Sequence, residues 1–249
     1  MKKKLLYISG IFLLICLLGG SAQAQAIPKI SLEVGEATQP GDISTTLQIV
    51  ILLTVLTLAP SIILMMTSFI RLVVVLGFLR QAIGTQQLPP NQLILSLSLI
   101  LTFFIISPVI NTAYNDGLKP YLDEEITIDE AYERGIKPFR EFMLAQADEK
   151  DLALFINMSG VEAPETPDDI PLHILVPGFV LSELRTGFEI AFLIFVPFLI
   201  IDMVVASVLM SMGMMMLPPI IVALPFKILL FVLVDGWYLL VKSLVESFY

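Results

Sequence analysis

Four long apolar segments constrain the fold of this chain more than any other feature of its sequence. They cover residues 47–69, 92–114, 187–209 and 219–242 of the 249 residues. A helix needs about 20 apolar residues to cross the roughly 30 Å hydrocarbon core of a membrane, and each segment is close to that length. The chain is 57% hydrophobic and only 15% charged, whereas soluble domains carry about 25% charged residues. The sequence therefore predicts an all-α integral membrane protein built of helical hairpins.

The first 26 residues have the pattern of a secretory signal peptide. MKKK is a basic start, LLYISGIFLLICLLGG is an apolar stretch, and SAQAQA offers cleavage after Ala24 or after Ala26. An uncleaved anchor helix is the alternative. Cleavage would remove Cys16, the only cysteine, and with it any disulfide or thiol chemistry. It would also remove three lysines and change the formal net charge from −9 to −12, which excludes a basic surface for nucleic acid.

Composition divides the rest of the chain into four parts. Residues 27–45 are a short polar segment, and residues 46–114 are a first membrane hairpin. Residues 115–185 are acidic and mainly helical, and residues 186–249 are a second membrane hairpin with a methionine-rich loop. The acidic part holds fifteen acidic residues against five basic ones between positions 116 and 169.

Charge also predicts the orientation of the hairpins. The connection between the first two apolar segments contains Arg71 and Arg80 and no acidic residue, as cytoplasmic loops do. A cleaved signal peptide would place the mature amino terminus outside the cytoplasm, and four crossings would return the carboxy terminus there. Both features place the acidic region on the periplasmic side.

The usual catalytic and metal-binding motifs are missing from the sequence. The only histidine, His173, is not part of an HExxH motif, and no GxxxxGK[ST] loop occurs. We therefore expect no enzyme activity, cofactor or metal. One alternative is an intramembrane aspartyl protease that uses Asp202 and Asp235, although LIIDMV and LVDGWY lack the glycine-flanked pattern of those enzymes. A small-solute transporter is another, but it would usually have more spans and a broken-helix binding site.

Charged residues in or beside the last two apolar segments need partners, because a charge at the centre of a membrane span costs at least about 2.5–3.5 kcal/mol. Arg185 and Glu189 are four residues apart, so a helix would put them on one face, where they can pair. Glu183 then needs another partner, and Lys227 is the only base of the fourth segment before Lys242. The sequence therefore predicts an ion pair between Glu183 and Lys227. The buried charges predicted in this way are Glu183, Arg185, Glu189, Asp202, Lys227 and Asp235.

The connection MSMGMMMLPP between these segments is unusual for a turn because it is apolar. Methionine is flexible and fills irregular gaps between partners. Pro218 and Pro219 cannot continue the preceding helix, so Met214, Met215 and Met216 are predicted to lie on a constrained loop. Either the loop packs the core of one chain, or several copies bring their methionines together as a soft apolar constriction.

Four motifs in sequence resemble the FliP family of flagellar type III export-gate proteins. They are SFIRLVVVLGFLRQAIGTQQLPPNQ at 68–92, PGFVLSELRTGFEIAF at 177–192, MGMMMLPP at 212–219 and LPFKILLFVLVDGWYLL at 224–240. The likeness runs in order from about residue 45 to the end of the chain, and a related subunit exists in virulence secretion systems.

This resemblance implies a function in the bacterial inner membrane, at the flagellar basal body. Several copies would assemble with two partner subunits into a helical, ring-like gate that stands partly above the membrane, so four crossings describe insertion better than the assembled state. The gate would pass unfolded rod, hook and filament proteins, with lipid as a further contact. By the same resemblance, Met214, Met215 and Met216 would form a gasket around the closed channel. The pair Glu183–Lys227 would lie between neighbouring helices or subunits.

Overall fold

The computed structural model of the chain describes residues 40–85, 89–161, 164, 166–214 and 216–249. The signal peptide predicted over residues 1–26 lies outside these ranges, as does most of the polar segment 27–45. Every regular element in the described ranges is helical, and none is a strand. The prediction of an all-α fold is confirmed.

The helices are numbered here in chain order. They are α1 (Pro40–Met65), α2 (Phe69–Ile83), α3 (Asn91–Ala113), α4 (Lys119–Leu122), α5 (Ile128–Gln146), α6 (Glu149–Ser159), α7 (Leu172–Ser211), α8 (Pro219–Leu233) and α9 (Gly236–Glu246). A π-helical turn, Tyr114–Leu118, joins α3 to α4, and a 3-10 turn, Pro167–Asp169, precedes α7. Residues Leu53–Tyr249 form one compact unit, and the packing described below lies within it.

Three helical stretches of the described chain are long and apolar enough to cross a membrane: Leu47–Met65, Asn91–Leu122 and Leu172–Ser211. The pair α8 and α9 would make a fourth span, but the two helices are bent by 63°. The sequence predicted one continuous segment there. The segment breaks because Asp235 adopts a left-handed backbone with φ of 52°, a conformation that aspartate tolerates better than most residues.

The connection that contains Arg71 and Arg80 is a helix, α2, and not the loop that the sequence predicted. Its buried residues recur at helical spacing, which is the pattern of a helix with one face in the core. They are Arg71, Leu72, Val75, Leu76, Leu79, Ala82 and Ile83. The helix ends at Gly84, whose φ of 87° is left-handed, as is common one residue after a helix.

Helix α7 extends from the acidic region into the second hairpin without a break. It has 40 residues, so it is about 60 Å long at 1.5 Å per residue. The boundary predicted between residues 185 and 186 falls inside it. Helix α2 packs along α7, where Gly187 allows a close approach: a Cβ atom there would lie 3.3 Å from Val74.

Two apolar clusters form the core of this unit. The first joins α2, α3, α7 and α9 and includes Leu72, Ile105, Phe198 and Leu244. The second joins α5, α6 and the start of α7, and its buried members are Met143, Leu152, Ile170, Ile174, Leu175 and Phe179. Phe142 on α5 packs against both clusters. The acidic region is therefore packed onto the apolar helices through a shared core.

Glycine at the π-helical turn sets how closely α3 and α5 approach. A Cβ atom on Gly117 would lie 2.9 Å from the backbone of Ala131 and Gly135. Because backbone atoms cannot move aside, Gly117→Ala should force the two helices apart and lower the free energy of unfolding by about 1–3 kcal/mol. Thermal unfolding of the detergent-purified protein measures this. Gly77→Ala is the matched control, since a Cβ atom there meets nothing within 4 Å; equal midpoints for the two variants would contradict the prediction.

Candidate functional site

Arg71 and Glu183 form a buried ion pair between α2 and α7. Arg71 is 2% exposed and Glu183 is fully buried. Arg71 Nε donates to Glu183 Oε2 at 3.0 Å, and Arg71 Nη2 donates to Glu183 Oε1. The guanidinium group therefore binds both carboxylate oxygens, which is the strongest geometry for such a pair.

The remaining donors of Arg71 bind the carboxy-terminal end of the chain and α5. Nη1 donates to the carbonyl oxygen and to Oγ of Ser247, each at 3.0 Å, and Nη2 donates to Gln146 Oε1 at 3.1 Å. The ring of Phe248 lies 3.9 Å from Arg71 Cζ. Gln146 Nε2 also donates to the Phe248 carbonyl at 3.2 Å. All five N–H groups of the arginine thus have an acceptor.

The buried Lys227 forms a second ion pair, with the partly buried Asp202. Its ammonium Nζ lies 2.6 Å from Asp202 Oδ2 and donates to the carbonyl oxygen of Ala82 at 3.1 Å. Ala82 lies in the last turn of α2, where carbonyl groups lack a partner within the helix. Lys227 is 3% exposed, so it neutralises a carboxylate and caps a helix away from solvent.

The predicted pairing of Glu183 with Lys227 is wrong within the single chain, because each has a different partner. The error arose from treating Arg71 as a residue of an exposed loop. Once residues 69–83 form a helix packed on α7, Arg71 is the base that meets Glu183. The periodicity of the apolar residues in FIRLVVVLGFLRQAI was the signal that would have found it.

The predicted pairing of Arg185 with Glu189 is also wrong. Arg185 Nη1 lies 3.2 Å from Asp148 Oδ2, and Nη2 contacts Asp151 Oδ1. Asp151 is 2% exposed and also accepts a hydrogen bond of 2.9 Å from Ser182 Oγ. The sequence did not reveal Asp148 and Asp151 as partners, because they belong to the acidic region and lie outside the apolar segments whose charges were expected to pair with one another. Glu189 is exposed and forms no ion pair with any described residue.

The methionine loop, residues 214–216, is only partly described. Met214 is 42% exposed and Met216 is 99% exposed, while Met215 lies outside the described residues. Met216 therefore does not pack a core within the single chain.

Asp202 and Asp235 do not form a catalytic pair in the described chain. A protease of that class needs two carboxylates that share a proton. Asp202 binds Lys227 instead, and Asp235 is exposed at the break between α8 and α9. No hydrogen bond joins the two side chains within the described ranges, and no cluster of three or more metal-ligating residues occurs there either.

The geometry of Arg71 makes its replacement costly. Arg71→Ala should leave Glu183 as an unpaired buried charge and lower the free energy of unfolding by about 3–5 kcal/mol. Arg71→Lys should not restore stability, since an ammonium has three donors and lacks the planar fork. Thermal unfolding and the yield of folded protein measure both effects.

Lys137→Ala is the control for this prediction, because Lys137 is exposed and lies 3.8 Å from Glu141. We expect no measurable change from it. If Arg71→Ala were as stable as this control, the buried network would not contribute to the fold.

Comparison with known proteins agrees with the resemblance found in the sequence. The sequence model of the FliP family matches residues 52–244. A flagellar biosynthetic protein FliP from Bacillus subtilis is 53% identical over 217 residues, which are 87% of this chain and 98% of that protein. Proteins of the same name from Caulobacter vibrioides and Aquifex aeolicus are 52% and 49% identical, over 90% and 89% of this chain and 85% and 92% of their own length. With its long apolar helices, the chain is therefore a membrane protein that belongs to the FliP family.

Proposed function

We propose that this chain is a core membrane subunit of the flagellar protein-export gate. Further copies and other membrane subunits of the gate would assemble with it into the channel that passes unfolded flagellar proteins. Membership of the FliP family carries this proposal, since the relatives are named flagellar biosynthetic proteins. The exposed apolar sides of α1 and α7 support it, because they suit contacts with lipid or with further membrane helices.

The same proposal places the chain in the bacterial inner membrane, with the acidic region on the periplasmic side. Arg71 is buried in the network with Glu183, so it no longer counts as a loop charge. Arg80, at the other end of α2, and the signal-peptide pattern support the orientation.

Local geometry supports a constriction at the methionine loop. Helix α7 ends in a Schellman motif: the N–H of Gly213 donates to Met210 O at 3.0 Å, and the N–H of Met214 donates to Leu209 O at 3.0 Å. Gly213 has the left-handed φ of 73° that this motif needs. Pro219 begins α8 in its first turn, where proline is favoured. The loop is thus held at both ends, and Met214 and Met216 between them are exposed.

Methionine side chains suit a gate for protein substrates. An apolar constriction closes a pore by excluding water. Thioether side chains are flexible and polarizable, so they can deform around segments of many sequences. Copies of the loop held at one height would therefore close the empty channel and yield to a passing chain.

Shortening the loop side chains tests this role. Replacing Met214, Met215 and Met216 together with alanine should widen the constriction, so that ions and small solutes leak while export continues. Membrane conductance, or the sensitivity of cells to small toxic solutes, measures the leak. Met158→Ala, a change at a methionine that is 75% exposed on α6, is the control. A triple variant that assembles and stays as tight as the parent would assign the loop a packing role.

A strain that lacks the gene tests the function itself. Secretion of flagellar subunits and motility should be lost in that strain and restored by the full chain. The double variant Asp202→Asn, Asp235→Asn should also restore secretion, because the amide at position 202 keeps an oxygen that can accept from Lys227 while neither side chain can serve as a catalytic acid. Normal secretion without the gene would refute the export proposal, and loss of secretion by an assembled double variant would revive the protease alternative.

A further inference from the structure

An open apolar groove separates α7 from α9 on the surface of the described chain. Its volume is about 530 Å³. The residues of the two helices that line it include Ile190, Leu193, Ile194, Leu239, Leu240 and Leu244. Leu193 on one side is 69% exposed, and Leu239 on the other side is 52% exposed. The side chains at the base of the groove, such as Leu240 and Leu244, are buried, whereas those along its two edges are exposed.

Opposite charges flank these edges. Glu189 lies four residues before Leu193 on α7, and Lys242 lies three residues after Leu239 on α9, so each charge shares a helix face with the edge residue beside it. Glu189 is exposed and forms no ion pair in the described chain. Lys242 is 52% exposed, and its only ion pair among the described residues is a 3.8 Å contact with Glu246, itself exposed. The groove thus has an unpaired acid on one side and a loosely held base on the other.

The two charges belong to segments that contact the same part of α2. Glu183 and Ser247 both bind Arg71, which places them level with each other. Gly187, two residues before Glu189, lies against Val74 of α2, and Ser247, five residues after Lys242, binds Arg71 of the same helix. Both charges therefore lie near the first turns of α2, although α9 is bent by 63° from α8.

We propose that this face is an interface with a second copy of the chain, in which Glu189 of one copy pairs with Lys242 of its neighbour. Rotation about an axis parallel to α7 would bring the acid on one side of the groove of one copy towards the base on the other side of the next. The exposed side chains of Phe188 and Phe192 lie next to Glu189 on the same helix, and an acid beside such apolar groups in a membrane needs a counter-charge. This inference rests on the proposed assembly of several copies.

Cysteine crosslinking between differently tagged copies tests the contact. Glu189→Cys and Lys242→Cys would be carried on separate copies, with Cys16 replaced by alanine, and expressed together in a strain that lacks the native gene. A short bis-maleimide should join the two tags in one product. Val204→Cys combined with Lys242→Cys is the control, because Val204 is 58% exposed but lies about 22 Å further along α7. It should give no such product.

Charge exchange gives a second measurement on the full chain. Glu189→Lys or Lys242→Glu alone should lower the yield of oligomer several-fold, and the two together should restore it. The proposal is overturned if neither single change affects oligomer yield. It is also overturned if assembled, export-competent Cys variants give no crosslink between copies, or a crosslink only to another subunit of the gate. If the variants form no such contact but still restore export, the proposed interface is wrong while the proposed export function stands.

Discussion

The arrangement of helices depends on the burial of one guanidinium group. Arg71 is held away from water, and removing a charged group from water is favourable only when its donors and its charge are satisfied. The acceptors come from α7, α5 and the end of the chain after α9. These three elements must therefore reach α2 together, and a partial set would leave buried donors unpaired. The acidic region and the carboxy terminus are tied to the same point for this reason.

A second, partly buried ion pair holds the other end of α2. Lys227 binds Asp202 and caps the carbonyl of Ala82, which lies roughly 16 Å from Arg71 along the helix. Helix α2 is consequently attached to α7 near both of its ends, and α8 is attached to both. The methionine loop follows Asp202 by about three helical turns. Its base is therefore connected to a pinned part of the hairpin, which a constriction of constant height requires.

Apolar length was enough to predict an all-α membrane protein, because few other structures accommodate such segments. The free-energy cost of burying a charge correctly predicted that Glu183, Arg185 and Lys227 have partners. It did not identify those partners, because any residue of opposite charge meets the same need. The packing of the helices decides that the partners are Arg71, Asp148, Asp151 and Asp202, and this packing depends on α2. That helix was missed because 15 residues with two arginines are too short and too charged for a span. The break at Asp235 was missed because the Asp-Gly pair, which favours a turn, lies inside a long apolar segment that predicted one continuous helix.

Apolar exposure does not by itself show where neighbouring subunits bind in a membrane protein. Lipid tails are as apolar as leucine, so exposed leucine and isoleucine gain little by exchanging lipid for protein. The exposed face of α1 carries no such information for this reason. Charged groups are more informative, because they need a counter-charge or hydrogen bonds. Lipid tails cannot supply these, whereas protein or water can. In the described chain Arg71 and Glu183 meet that need in each other, whereas Glu189 has no ion pair. A neighbouring chain that brings a base to Glu189 would therefore gain more than one that covers only leucine and isoleucine.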